Sequence, residues 1–411
     1  MSIPEPVQPK LREVRAQPTI HQGRRGIVLS DPLGISRMAI FIPQPLVPLL
    51  PLMDGTRDIG MLRTGFELRT GSALSTLNLE ELIKALDEAL LLDNERFTGA
   101  YHAAIAEYHS ASYRAYTLPG RVCPSTPEEL GAYLQQFLDQ AETAPQPEGD
   151  IKGLICPHID FQRGGPIYAA VWATVAATLR DADLVVILGT DHNAPSSEVT
   201  LTRQSYQTPW GIMPTPQDVV DRIAAEAGDG VFTHELNHRG EHSVEAAALW
   251  LHYLLGDRPC SMLPVLCGSL QHLIDRGESP SSSGPISATA AVLKSVVAER
   301  RTILVAAADL AHVGPAFGDS MPFDAVARAT LGRDDQALIN VLATADAEQF
   351  FEAVRREGDR NRICGMPPIY LMLSVLSEVE GSATGYAQCP ASEDGGSWVS
   401  ICGMVYHSRK S

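Results

Sequence analysis

Apolar residues near the N-terminus recur with the period of an α-helix. They follow one another at spacings of three and four and share one face: Leu79, Leu82, Ile83, Leu86, Ala89 and Leu90. This spacing predicts an amphipathic helix whose apolar stripe packs into a core. Asn78 is the expected N-cap, and Glu81 would complete a capping box. Together with a predicted strand at 27–34 and a turn at 54–56, the helix indicates a small separate unit over residues 26–97.

The segments on either side of this unit carry weaker patterns. Residues 1–25 alternate proline, arginine and polar residues and are expected to form a tail. Tyrosines spaced among alanines predict a connecting helix at 98–117. Thr126, Pro127 and Glu129 provide a cap, a first-turn proline and a capping-box glutamate, so a further helix is predicted up to about residue 140.

From residue 151 onward, short apolar runs typical of buried strands alternate with helical patterns. The runs lie at 154–156, 184–189, 262–266 and 303–307, and helical spacing follows at 167–179, 244–255 and 288–297. Alternation of this kind is typical of an α/β domain. We therefore expect a mixed central sheet flanked by helices.

Composition narrows the classes of function. The chain of 411 residues has 49 acidic and 32 basic side chains, a net charge of −17, which argues against a nucleic-acid-binding surface. Its longest apolar stretch, at 41–53, contains four prolines and is too short to span a membrane. No apolar signal segment is visible, so a cytoplasmic location is expected. None of the seven cysteines forms a C-x-x-C pair, and we interpret them as reduced thiols.

Histidines and acids directly follow three of the predicted strands. These candidate residues are His158 and Asp160, Asp191 and His192, and Asp309 and His312. Ligand sites in open α/β sheets form beyond the carboxyl ends of the strands, so the three clusters are expected to converge. Imidazole and carboxylate are ligands of iron, copper and zinc, and Asp160 and Asp191 could orient the rings. Glu241 and His242 form a fourth cluster before a helix that Ser243 could cap.

A competing pattern lies at residues 234–238. His234, Glu235 and His238 match the H-E-x-x-H motif of zinc hydrolases, which needs both histidines on one face of a helix. Only Leu236 could anchor such a helix in a core, and the longer metzincin motif fails because Gly240 and His242 are out of register. Zinc hydrolysis is therefore the third hypothesis for this chain.

Eight short motifs in collinear order carry a resemblance to a known family. They lie at 119–124, 157–158, 188–192, 208–211, 241–245, 264–268, 309–314 and 364–369. Through them, residues 118–408 resemble the Memo family, whose bacterial members are called AmmeMemoRadiSam system protein B. The N-terminal unit more weakly resembles the winged-helix-type PqqD module. The resemblance implies a fold similar to class III extradiol, LigB-type dioxygenases.

The resemblance also implies a metal site in the cleft of that fold. His158 and His192 would be ligands, and His242, with Glu241 and Asp160, would serve acid–base chemistry. Some animal members carry a cysteine where this chain has Ala311, so Asp309 or His312 would be the third ligand.

The resemblance further implies a redox enzyme of dioxygenase type that uses iron or copper, with zinc less favoured. Its substrate would be a small aromatic molecule or a peptide, and its partners a radical-SAM enzyme and an AMMECR-type protein. The alternative is a non-catalytic module that binds a metal or a peptide.

Overall fold

The structure, a computed structural model, describes residues 8–141, 147–193 and 199–409. The chain divides into two compact units, Met1–Ala111 and Ser112–Ser411. The first unit consists of a three-stranded antiparallel sheet in the order β1-β2-β3 and three helices. Its elements are β1 (Arg15–His21), β2 (Arg24–Ser30), β3 (Ala39–Pro43), a 3₁₀ segment (Gln44–Leu52), α1 (Ile59–Thr70), α2 (Thr76–Glu88) and α3 (Glu95–Ser110).

The first unit differs from the sequence-based expectation at three places. Residues 15–25, expected within a tail, form β1 and the start of β2, while residues 1–7 lie outside the described residues. Since β1 is an edge strand with mostly exposed side chains, no apolar alternation marks it. Helix α2 begins one turn early because the Ser75 side chain accepts a hydrogen bond from the Asn78 amide. Helix α3 ends at Ser110, short of the predicted 117.

The apolar stripe of α2 is confirmed, because Leu79, Ile83 and Leu86 are buried. They pack with residues of β2, β3 and α1 in the core of this unit. The relation of the unit to PqqD-like modules stays a prediction.

The second unit is a mixed α/β domain, as predicted. Its elements are α4 (Pro127–Gln140), β4 (Ile151–Cys156), α5 (Phe161–Leu179), β5 (Leu184–Thr190), β6 (Val199–Leu201), β7 (Tyr206–Thr208), β8 (Gly211–Met213), α6 (Gln217–Ala227), α7 (Ser243–Leu255), β9 (Ser261–Cys267), α8 (Gln271–Arg276), α9 (Gly284–Glu299), β10 (Thr302–Ala307), β11 (His312–Val313), α10 (Ala325–Ala343), α11 (Ala347–Arg356), α12 (Met366–Val375), β12 (Val379–Pro390) and β13 (Trp398–Ser408).

The large sheet runs in the order β11-β13-β4-β10-β5-β9-β6, and β12 pairs with β13. The four strands β4, β10, β5 and β9 are parallel, and antiparallel strands flank them. Helices α4, α5 and α7 contribute to one apolar core, and α6, α9 and α12 to another. Because helices cover both faces, the central strands are largely apolar, and every residue of β5 is buried.

No helix of the described part of the chain is long and apolar enough to cross a membrane.

Candidate metal centre

Three neighbouring parallel strands bring the predicted residues to one edge of the sheet. His158 follows the end of β4, His192 follows β5, and Asp309 follows β10, which lies between the two. The rings of His158 and His192 are consequently 5.2 Å apart between centroids. The expected convergence of strand ends therefore occurs.

A cysteine completes the cluster. The Cys364 sulfur lies 3.3 Å from Nε2 of His158. One ring nitrogen of His158, one of His192 and this sulfur all lie within 4.8 Å of one another. Cys364 lies in the loop between α11 and α12, far along the chain from both histidines. The donor set that the structure brings together is thus two imidazoles and one thiol.

Hydrogen bonds fix the orientation of both rings. Nδ1 of His158 donates to the Ala307 carbonyl at 2.9 Å. Nδ1 of His192 lies 3.0 Å from each carboxylate oxygen of Glu241. A hydrogen-bonded Nδ1 leaves Nε2 as the ligating atom, the arrangement typical of metal-binding histidines. Both rings therefore present Nε2 toward the same place.

The charges of the cluster favour a thiolate. Burial raises the pKa of Cys364, but His158 and His312 nearby lower it well below its usual value. Burial lowers the pKa of His158, but the Asp309 carboxylate and the Cys364 thiolate outweigh it and raise the pKa to about 9. Without a metal, the cluster is an imidazolium–thiolate pair.

Glu241 is a positioning residue for this cluster. Its buried carboxylate accepts hydrogen bonds from the backbone amides of His192, His242 and Ser243, at 3.2, 2.8 and 2.9 Å, besides the His192 ring. Burial raises the pKa of Glu241, but the two histidines lower it well below its usual value. Glu241 stays ionised and holds the His192 ring at the start of α7.

The other two candidate histidines, His242 and His312, adjoin the cluster. His242 stacks on His192, with ring centroids 4.8 Å apart, and is partly exposed. It forms a second candidate ligand group with His192 and Glu241. His312 places Nδ1 3.2 Å from the Leu310 carbonyl, and its ring also hydrogen-bonds the Cys364 sulfur. His242 is therefore accessible from solvent, whereas His312 supports the thiolate.

Two predicted acids lie outside both ligand groups found among the described residues. Oδ1 of Asp309 accepts hydrogen bonds from the amides of His158 and Ile159, at 2.8 and 3.2 Å. Oδ2 lies 3.6 Å from Nε2 of His158. Asp160 caps α5 and forms an ion pair with Arg163. Asp309 therefore shapes the loop that carries His158, and Asp160 has a helix-capping role.

The cysteine was missed by the sequence analysis. Cys364 stands in the motif at 364–369, which served as a family landmark without a chemical role. The expected cysteine position was placed at Ala311, which is fully buried beside β13. The position of Cys364 two residues before α12, a buried helix with two prolines in its first turn, was the available signal.

The H-E-x-x-H segment does not have the helix or the available histidine nitrogens that a zinc site needs. Residues 235–239 form a 3₁₀ turn, and both ring nitrogens of His238 are engaged, with Tyr206 Oη at 2.7 Å and the Thr200 carbonyl at 3.1 Å. Burial lowers the pKa of His238 to about 3. Glu235 accepts a hydrogen bond from Thr202 at 2.8 Å. This segment is a buried polar network.

A family model described as Memo-like protein matches residues 114–405, which include every residue of the cluster. The chain belongs to the Memo family. The resemblance read from the motifs is thereby confirmed, while the link to LigB-type dioxygenases stays a prediction.

Memo-family relatives extend the match over most of the chain. A MEMO1 family protein of Aquifex aeolicus is 27% identical over 410 residues, 98% of this chain and all of its own. One of Thermus thermophilus is 26% identical over 77% of this chain and 90% of its own, and one of Methanosarcina acetivorans is 28% identical over 57% and 76%. The alignment with the Aquifex protein includes the N-terminal unit.

Removing the charge of Glu241 should weaken metal binding. We expect Glu241→Gln to lower affinity by about 10- to 100-fold, because the ring of His192 loses its anionic acceptor. Competition titration with a metal chelator measures the change. Glu235→Gln, which alters a buried glutamate outside the cluster, is the matched control and should retain full affinity. Equal affinities in the two variants would contradict the role given to Glu241.

Proposed function

We propose that this Memo-family protein binds one copper or iron ion through His158, His192 and Cys364 and uses it in a reaction with dioxygen. The observation that carries the proposal is the convergence of two oriented imidazoles and a thiolate within 4.8 Å. Zinc hydrolysis is less favoured, because hydrogen bonds occupy both ring nitrogens of His238 in the motif that suggested it.

The donor set fits this class of metal. Thiolate and imidazole ligands suit copper, iron and zinc, whereas magnesium and calcium prefer oxygen. Ligands of one such ion lie about 2.0–2.3 Å from it and hence at most about 4.6 Å apart, so small side-chain shifts suffice. Three protein ligands leave coordination positions open, as in catalytic sites.

A space for a substrate adjoins the centre. A cleft of about 220 Å³ is lined by His192 and Cys364 together with residues of the loop before α12. This volume lies below the range typical of cavities for drug-sized ligands, so the substrate is small. When bound, the metal ion would supply a site for dioxygen and for electron transfer.

The neighbouring side chains have separate roles in the proposed reaction. His242 is partly exposed and stacked on a ligand ring, so it can move a proton between substrate and solvent. Asp309 fixes the backbone of His158, and Glu241 fixes the His192 ring. The described cysteines are all unpaired, so Cys364 is available as a thiolate ligand.

Oxygen uptake tests the proposed activity. Protein purified without oxygen and loaded with Fe(II) or Cu(I) should consume oxygen with a member of a panel of small phenols and apolar acids. We expect His242→Gln to keep its metal but to slow the reaction by about 10²- to 10⁴-fold, the usual contribution of a general acid or base. Absence of uptake by fully loaded protein across the panel would instead favour a non-catalytic metal-binding module.

Metal affinity should rise with pH. Because the pKa of His158 is about 9, the ring is protonated at neutral pH and a metal ion must displace the proton. Affinity should therefore increase by about tenfold per pH unit for each proton displaced as pH rises toward this pKa. Calorimetric titrations in buffers of different ionisation enthalpy count the released protons. A pH-independent affinity with no proton release would contradict the imidazolium–thiolate pair.

A further inference from the structure

The cleft beside the metal centre is apolar along one part and carries a cation at another. Leu270, Ile363, Met366 and Pro367 supply the apolar lining. Arg362, two residues before Cys364, lines the same cleft. A molecule held there can thus contact apolar side chains, a guanidinium and the metal ligands at once.

The guanidinium of Arg362 is held in place. Its Nε donates to the His312 carbonyl at 3.0 Å, and its Nη2 donates to Asp319 at 2.6 Å. The backbone of Arg362 is in the left-handed region, with φ of 51°, so the loop fixes an unfavourable conformation there. Within the described ranges no group accepts a hydrogen bond from Nη1. One edge of a preorganised cation is left for a ligand.

The carboxylates that share the cleft are engaged with the protein. Both oxygens of Asp191 accept from the Asn237 side chain at 3.0 Å, and one also accepts from the Asn193 amide. Asp359 accepts from the Ile363 amide at 2.9 Å. These carboxylate oxygens are thus occupied by donors of the protein, whereas Arg362 is the arginine that lines the cleft.

We propose that Arg362 binds the carboxylate of a small apolar carboxylic acid and places its apolar body beside His192 and Cys364. This assignment rests on the proposed function, since it names the substrate class of the same centre. A guanidinium pairs with a carboxylate through two parallel hydrogen bonds, so a charged ligand is favoured over its amide.

Binding of phenylacetate, with phenylacetamide as the neutral comparison, tests the proposal. Titration of the metal-loaded full chain, followed by calorimetry or ligand-observed NMR, should show binding of phenylacetate at least about tenfold tighter than binding of the amide. Arg362→Gln should remove that preference and weaken phenylacetate at least about tenfold. Arg360→Gln, an exposed arginine of the same loop, is the matched control and should bind as wild type.

A second variant separates recognition from structural support. Asp319→Asn removes the negative charge that competes for Arg362, while its amide oxygen can still accept from the Gly314 amide and from Nη2 of Arg362 and so keep the guanidinium in place. We expect this variant to bind phenylacetate several-fold more tightly, whereas a merely structural Arg362–Asp319 pair predicts weakening in both variants. Equal binding by wild type and Arg362→Gln, or weakening in Asp319→Asn, would overturn the proposal.

Metal analysis of the same samples separates this proposal from the proposed function. If Arg362→Gln retains its metal but no longer binds phenylacetate, both the proposed function and the carboxylate site are supported. If the metal is bound by His158, His192 and Cys364 but the affinity for phenylacetate does not depend on Arg362, only the substrate assignment fails. If phenylacetate depends on Arg362 in a protein that binds no metal, the proposed function fails and the carboxylate site stands.

Discussion

Cys364→Ser should reduce the bound metal from about one ion per chain to a small fraction of that value. The Cys364 thiolate is the charged member of the candidate donor group, whereas a serine hydroxyl stays protonated at neutral pH and offers a metal only a weak neutral donor. His158→Ala and His192→Ala should have the same effect, because each leaves only two protein ligands.

Elemental analysis of protein purified without oxygen measures this effect. Cys402→Ser is the matched control, since Cys402 is a buried thiol of β13 outside both ligand groups. We expect the control to keep the wild-type metal content per folded chain. Retention of the metal by Cys364→Ser would contradict the assignment of the third ligand.

Arg114→Met should cost about 3–5 kcal/mol of unfolding free energy in the second unit, because it leaves Glu245 buried without its cation. Arg114 and Glu245 form a fully buried ion pair. Arg114 also donates to the carbonyls of His238 and Glu241, each at 2.9 Å. Glu245 accepts in addition from the amides of Thr117 and Leu118, both at 2.7 Å. The pair thus ties residues 114–118 to the helix that begins beside Glu241.

Denaturant unfolding of the full chain, followed by the tryptophans of the second unit, measures this loss. Arg301→Met is the matched control, because its ion pair with Asp183 is exposed to solvent and its loss should change the stability little. Replacing both Arg114 and Glu245 by apolar residues should recover part of the stability. A loss below about 1 kcal/mol in Arg114→Met would contradict the role of the buried pair.

Much of the fold was predictable because its signals are local. The continuous apolar runs of β5 and β10 indicated strands buried on both faces, and the rule for strand ends placed His158 beside His192. The start of α2 was missed because Ser75 and Asn78 are both good caps, and only the folded geometry chooses between them. Strand β1 was missed because pairing with β2, rather than an apolar pattern, creates it.

The third member of the cluster could not be placed beside the histidines from its local signal alone. Cys364 is separated from His158 by 206 residues in the chain and reaches it through the packing of α12 against the sheet. Asp309 was placed at the right end of the sheet, but its carboxylate is directed to the amides of His158 and Ile159. Residue type could not distinguish a ligand from a group that shapes the ligand's loop.

X-ray absorption at the metal edge of the anaerobically loaded protein tests the central claim most directly. We expect one sulfur neighbour at about 2.3 Å and imidazole nitrogens at about 2.0–2.1 Å, with the sulfur lost in Cys364→Ser. A metal environment without sulfur, or one that Cys364→Ser leaves unchanged, would contradict a centre formed by His158, His192 and Cys364.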